Sequence, residues 1–211
     1  MKHLSIQQRL WLGFLIVAVL PLAGLTWLYL SSFEKALTEA VLQNVSSIAD
    51  KKSDEIDNFI SERLADARVV SQQERLSLAI SGLSEAFSRG GLAATRDIDT
   101  KHRQWLETLE DFSHYGHYYD LLLIDAQGNV VFSLAHESDL GTNLITGPHR
   151  NSGLAQGFRQ AMQLLQVDLT PFQAYEPSDN KIAGFVVAPV LAGHRAVGAL
   201  GPGEAEAAVG V

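Results

Sequence analysis

The chain has 211 residues, 46% hydrophobic and 19% charged, enough for one ordinary domain with accessory segments and suited to a packed core. It has no cysteine, which excludes a disulfide framework, a thiolate zinc site and a cysteine nucleophile. A formal charge of −8 argues against a nucleic-acid partner, and the densest basic pair, Lys51-Lys52, is followed by Asp54 and Glu55.

From Leu10 to Leu30 no residue is charged and Thr26 is the only clearly polar side chain. As a helix this run is roughly 31 Å long, enough to cross a bilayer core of about 30 Å. Trp11 lies near one end and Trp27 and Tyr29 near the other, where amphipathic rings favour the headgroup region. Pro21 sits mid-span, a position membranes tolerate. The run is too long for a cleaved signal peptide, and Trp27-Leu-Tyr-Leu30 is a poor cleavage region. The reading is an uncleaved single span over 10–30. Lys2, Arg9 and the amino terminus place residues 1–9 in the cytoplasm and everything after Leu30 outside.

Residues 31–72 predict a stalk helix. Phe33, Leu37, Val41, Val45 and Ile48, then Ile56, Phe59 or Ile60, Leu64 and Ala67, recur in steps of three and four, with charges on the other face. The step near Lys52 breaks a strict heptad, which favours a helix packed partly on its own sheet over a continuous coiled coil. The apolar seam also suits a homodimer through the stalk. A second helix is expected over Glu74–Ser88, stopped by Arg89-Gly-Gly91, and a third from about Asp97 to Phe112 with Trp105, Leu106, Leu109 and Phe112 on one face.

From Tyr119 the period changes to that of strands. Tyr119–Ile124 and Asn129–Leu134 read as a hairpin turned by Asp125-Ala-Gln-Gly128. Gly141–Gly147 reads as a loop, and Asn151 or Ser152 caps a helix to about Leu165. Three further strands follow, Pro171–Tyr175, Ile182–Leu191 and Arg195–Leu200, the last two joined by Ala192-Gly-His194. The expected fold is α+β: a membrane helix and a stalk helix, then a PAS-like antiparallel sheet of five strands with flanking helices over 73–200. Residues 201–211 have loop composition and are expected to be a disordered tail.

No catalytic or metal constellation emerges. His114-X-X-His117 with Asp120 lacks a convergent third ligand, and Gly116 interrupts the helix such a pair needs, so it reads as a loop-to-strand junction. Ser133, Ser138, Ser152 and Ser178 lack a nucleophile elbow, and no phosphate-binding glycine loop occurs. The many carboxylates are read as solvated charge. No enzyme activity, cofactor or metal is expected.

Several stretches resemble the extracytoplasmic Cache domain of bacterial transmembrane receptors, in particular the first module of a double-Cache sensor. They are Tyr118–Asp125, Gly128–Ser133, Asp139–Leu144, Gly147-Pro148, Ser152–Ala155, Phe172–Ser178 and Gly184–Val190, in family order over about residues 100–200. The resemblance implies a small-molecule sensor in the bacterial inner membrane, most simply of the methyl-accepting chemotaxis type. Histidine kinases and adenylate, guanylate or diguanylate cyclases carry the same input. Such relatives continue with a second module, a returning span and an output domain, so an end at Val211 suggests a truncated or frameshifted frame. The resemblance places a ligand pocket, of no nameable ligand class, on one sheet face. Its walls by position are Tyr118, Asp120, Phe132, Arg150, Ser152, Tyr175 and Phe185, with Arg150 suited to a carboxylate and the aromatics to an apolar floor. A membrane-tethered scaffold acting through the stalk is the rival of another class.

Overall fold

The apolar period after Leu10 is realised as one continuous helix, α1 (Ile6–Ser71), in a computed structural model that describes residues 6–101, 109–114 and 118–205. The chain divides into two compact units, Met1–Glu55 and Ile56–Val211.

The first unit is helical over its described residues. Leu10–Leu30 is long and apolar enough to cross a membrane, and none of it is buried against other parts of the protein. Helix persists through Pro21, and the Thr26 hydroxyl donates to the Leu22 carbonyl at 2.8 Å, which satisfies that hydroxyl within the helix. Farther along, Val41, Val45 and Ile48 are exposed, and Lys52 pairs with Glu55 at 2.9 Å.

In the second unit α1 ends at Ser71 and α2 (Glu74–Lys101) begins after two residues. Gly90 and Gly91 leave helical geometry inside α2, Gly91 at φ +62°, so the predicted stop at the glycine pair is a kink, and helix resumes beyond it. Residues 109–114 form α3. Trp105 and Leu106 lie outside the described residues; Leu109 is buried and Phe112 half-buried.

The strands are β1 (Asp120–Asp125), β2 (Val130–Ser133), β3 (Asp168–Leu169), β4 (Gln173–Tyr175), β5 (Lys181–Ala192) and β6 (Arg195–Ala205), with α4 (Gly153–Leu164) between β2 and β3. All pairings are antiparallel, in the order β2-β1-β6-β5-β3, and β4 also pairs β5. Five sheet positions are therefore filled by six strands, because β3 and β4 share one edge. Pro171 separates them; it has no N–H to give to the ladder. Thr170 bridges the gap: its N–H donates to the Phe185 carbonyl (2.8 Å) and its hydroxyl accepts from Phe185 N–H (2.9 Å).

The β1–β2 turn is held by one carboxylate. Asp125 Oδ1 accepts from the N–H groups of Gln127 (3.0 Å) and Asn129 (2.9 Å), while Gly128 takes φ +86°. Strand alternation then sends side chains to two layers. On one face Leu121, Leu123, Val186, Ala188, Val190 and Leu200 pack with Ala67 and Val70 of α1 and Ile80 and Leu83 of α2. On the other, Leu122, Ile124, Phe185, Val187 and Ala199 pack with Leu154, Ala155, Phe158 and Ala161 of α4.

One sequence expectation is corrected. β6 runs on to Ala205, through Gly201-Pro202-Gly203, which were read as tail. Asp120, Leu121 and Leu122 pair with Gly203, Pro202 and Gly201, so a central position between β1 and β5 holds the segment despite its composition. On the β5 side no ladder pair forms between Phe185↔Gly203 and Ala188↔Leu200, which accommodates the missing Pro202 N–H.

Candidate ligand-binding site

α4 is positioned by its cap: the Ser152 hydroxyl accepts from Ala155 N–H at 3.2 Å. It lies on the β5–β6 side of the sheet, where Gly157 permits close approach; a Cβ there would stand 2.5 Å from Thr170 Cγ2 and 2.9 Å from Val187 Cγ2. Between β2 and α4 the chain makes a long loop, residues 134–152, which closes over the β1, β4 and β5 ends.

Beneath that loop carboxylates gather. Asp120, 3% exposed on β1, accepts from its neighbours Leu121 N–H (2.6 Å), Ala135 N–H (2.8 Å) and the Ser133 hydroxyl (3.0 Å). Glu137 accepts from the hydroxyls of Tyr119 and Ser178. Asp139 is fully buried; its Oδ2 accepts from the Tyr175 hydroxyl at 2.6 Å, and its Oδ1 has no hydrogen-bond partner. The Tyr175 ring meets Phe185 edge-on at 4.8 Å. The Lys181 ammonium stands 5.5 Å from the Tyr119 ring centre.

Burial pushes the Asp139 carboxyl above its usual range; the Tyr175 hydrogen bond opposes this, and the charges of Asp120 and Glu137 add to it. Tyr175 is raised too, by burial first and then by the Asp139 charge. The hydrogen bond to Glu137 pushes the Tyr119 phenol up to about 12.

Of the seven residues named from the sequence, the structure gathers Asp120, Tyr175 and Phe185, and puts Ser152 at the cap of the helix on the same face. Phe132 packs on the opposite, α1–α2 face. The register shift that leaves Val131 without a partner on β1 puts Phe132 opposite Leu123. Tyr118 packs on Phe112 (5.0 Å between ring centres) and beneath the Arg63 guanidinium (5.2 Å). Arg150 is exposed and donates to the Gly147 carbonyl at 3.3 Å. Asp139, Glu137 and Tyr119 were not singled out, and Ser178 was weighed only as a nucleophile. Asp139 opens one of the quoted resemblance stretches, which was the available signal; reading carboxylates as solvated charge hid it. Asp125, Asp120 and Asp139 are in fact buried. His117 lies outside the described residues, and among those described no three His, Asp or Glu side chains are arranged to hold a metal.

A concavity of about 390 Å³ lies on the other side, lined by Ile56, Phe59, Ile60 and Arg63 of α1, Leu169–Phe172 and Val186. Its walls are mostly apolar; the Arg63 guanidinium lies over the Phe59 and Tyr118 rings, and the Thr170 backbone and hydroxyl already serve the β5 ladder.

No family model and no curated protein matches the chain. Solved structures do. The sensor domain of the V. cholerae histidine kinase DctB superposes with a TM-score of 0.55 at 17% identity, over 81% of this chain and 58% of that one. The sensory domain of the Campylobacter jejuni chemoreceptor Tlp3 gives 0.55 at 12% identity, over 83% and 64%. The ligand-binding domain of Tlp3 in complex with L-valine gives 0.56 at 12%, again over 83% and 64%. The fold is thus that of these solved sensor domains, and it agrees with the fold the sequence resemblance implied. The chain spans about three-fifths of the length of these solved structures.

Proposed function

We propose that this chain is the extracytoplasmic ligand-sensing portion of a bacterial transmembrane signal transducer of the chemoreceptor type, anchored through Leu10–Leu30 with its amino terminus in the cytoplasm. The observation that carries this reading is the continuity of α1. One helix contains the membrane-length apolar run and also contributes Ala67 and Val70 to the core of a sensor fold. A ligand held under the 134–152 loop would favour one pose of the sheet against α1, which needs only differential affinity for two poses. The candidate walls are Asp120, Tyr175, Phe185 and Ser152 together with Arg150, Tyr118 and Phe132. The exposed Val41, Val45 and Ile48 suit a parallel homodimer along the stalk.

The test uses the full chain in lipid nanodiscs, screened by thermal shift against metabolite panels. A shift of several degrees for at least one compound is expected; an intact fold that no compound stabilises would end the sensory reading. A reporter fused after Gly128 should be active only outside the cytoplasm. The likeness to DctB supports a histidine-kinase input as the second reading. The two part on whether the coding DNA beyond codon 211 encodes a chemoreceptor signalling helix or a kinase.

A further inference from the structure

The sensory reading leaves the ligand's chemistry open, and the inference here rests on that reading. The geometry points to a ligand that carries an ammonium group, which pairs with Asp139 Oδ1, and that carries no carboxylate.

The first support is the orphaned oxygen. A fully buried carboxylate with one oxygen accepting from Tyr175 and the other accepting from nothing is costly, because burial removes water without replacing it. The missing partner is a donor, and a charged donor satisfies such an oxygen best. The second is the sign of the surroundings. Asp120 from β1, Glu137 from the same loop and the Tyr175 phenol from β4 face Asp139, and none supplies positive charge. Of the cations nearest along the chain, Arg150 donates to the Gly147 carbonyl, Arg159 to the carbonyls of Leu144 and Arg150, and Lys181 lies over the Tyr119 ring. The third is selectivity. No three carboxylates converge as metal ligands among the described residues, which favours an organic cation over a metal ion. A ligand carboxylate would sit among the like charges of Asp120, Glu137 and Asp139, which disfavours it. The edge-on Tyr175–Phe185 pair beside the carboxylate suits the apolar part of an alkyl amine. Entry requires the 137–139 part of the loop to move; its side chains are held by three hydroxyl–carboxylate bonds, Tyr119 and Ser178 on Glu137 and Tyr175 on Asp139, while backbone bonds anchor Leu134, Ala135 and Gly141 on either side.

The experiment is calorimetric titration of the full chain in nanodiscs with n-butylammonium and 1,4-diammoniobutane, using L-valine and butyrate as comparators. An amine is expected to bind at least about ten-fold tighter than either comparator. Its affinity should rise with pH, because proton and ammonium compete for one carboxylate whose proton is held above the usual range. Asp139→Asn should lose at least about ten-fold in amine affinity and the pH dependence with it. Tyr175→Phe, which takes away the carboxylate's one donor and so raises its pKa further, should keep amine binding with its pH dependence moved to higher pH, so a loss confined to Asp139→Asn is not a folding defect. Valine or butyrate binding as well as the amines, or an unchanged Asp139→Asn, overturns the inference and leaves the sensory reading standing. So does failure of both amines while another compound stabilises the protein. If no compound of any class binds, both fall.

Discussion

The two faces of the sheet are built from the same strands by the same alternation, and they solve different problems. Toward α1 and α2 the layer from Ala67 to Leu200 is apolar, and every buried side chain gains by leaving water. Toward α4 the centre is equally apolar around Phe158 and Ile124, but the end under the 134–152 loop buries Asp120 and Asp139 with Ser133 and Ser178. Such groups lower stability unless each finds a partner, and one oxygen of Asp139 has none. The comparison teaches where to look: a fold tolerates an unmet polar cost at the place it uses, and Asp139 marks the loop end of the α4 face as such a place.

The largest effects test whether both apolar centres are purely structural. Phe158→Ala under α4 is expected to cost about 3–5 kcal/mol and Leu83→Ala under α2 about 2–5 kcal/mol in urea unfolding of the full chain in detergent. The two should differ in their effect on ligand response, with Leu83→Ala leaving the midpoint of the response in place. If Leu83→Ala also moved that midpoint, the division of labour between faces would fail.

An intermediate effect comes from Tyr175→Phe. It strips Asp139 of its one donor and should cost about 1–3 kcal/mol at neutral pH. The sign with pH follows from the raised Asp139 carboxyl. A raised folded-state value means the contribution is fully present below the ordinary aspartate value of 3.8 and is lost as pH rises through the folded-state value. The parent protein should therefore be more stable in mild acid than at neutrality on account of this group, and Tyr175→Phe should steepen that slope. Chemical denaturation at a series of pH values between 4 and 8 reads both; a flat profile in the variant would show that Asp139 is hydrated after all.

The smallest effect is the cap. Ser152→Ala should cost about 1 kcal/mol through the lost bond to Ala155 N–H, with the same m-value. A loss of ligand response with no loss of stability would instead make Ser152 a ligand contact, sharpening the loop face further.

Much of the architecture was legible. The uncharged run and the steps of three and four specify α1 by composition and period alone, and the Asp125–Gly128 and Gly193-His194 turns locate two hairpins because each needs its glycine at positive φ. The candidate site was legible only in part. Tyr175, Phe185 and Asp120 came together, whereas Phe132 went to the other face because a one-residue bulge at Val131 reverses side-chain direction, and nothing local in Val-Val-Phe-Ser announces a bulge. The strand through Gly201-Pro-Gly203 was likewise hidden: local preference disfavours it, and pairing with β1 overrides that preference.

What residue order alone determined is therefore whatever depends on neighbours within a few positions: the apolar span, the helical stalk, the turns, a helix cap at Asn151 or Ser152. What tertiary structure decided is which charges leave water. Asp139 and Glu137 stand two residues apart in one loop, yet one is sealed under Tyr175 and the other takes hydroxyls from Tyr119 and Ser178. Burial is a property of everything packed around a side chain, and those neighbours lie 18 to 41 residues away along the chain.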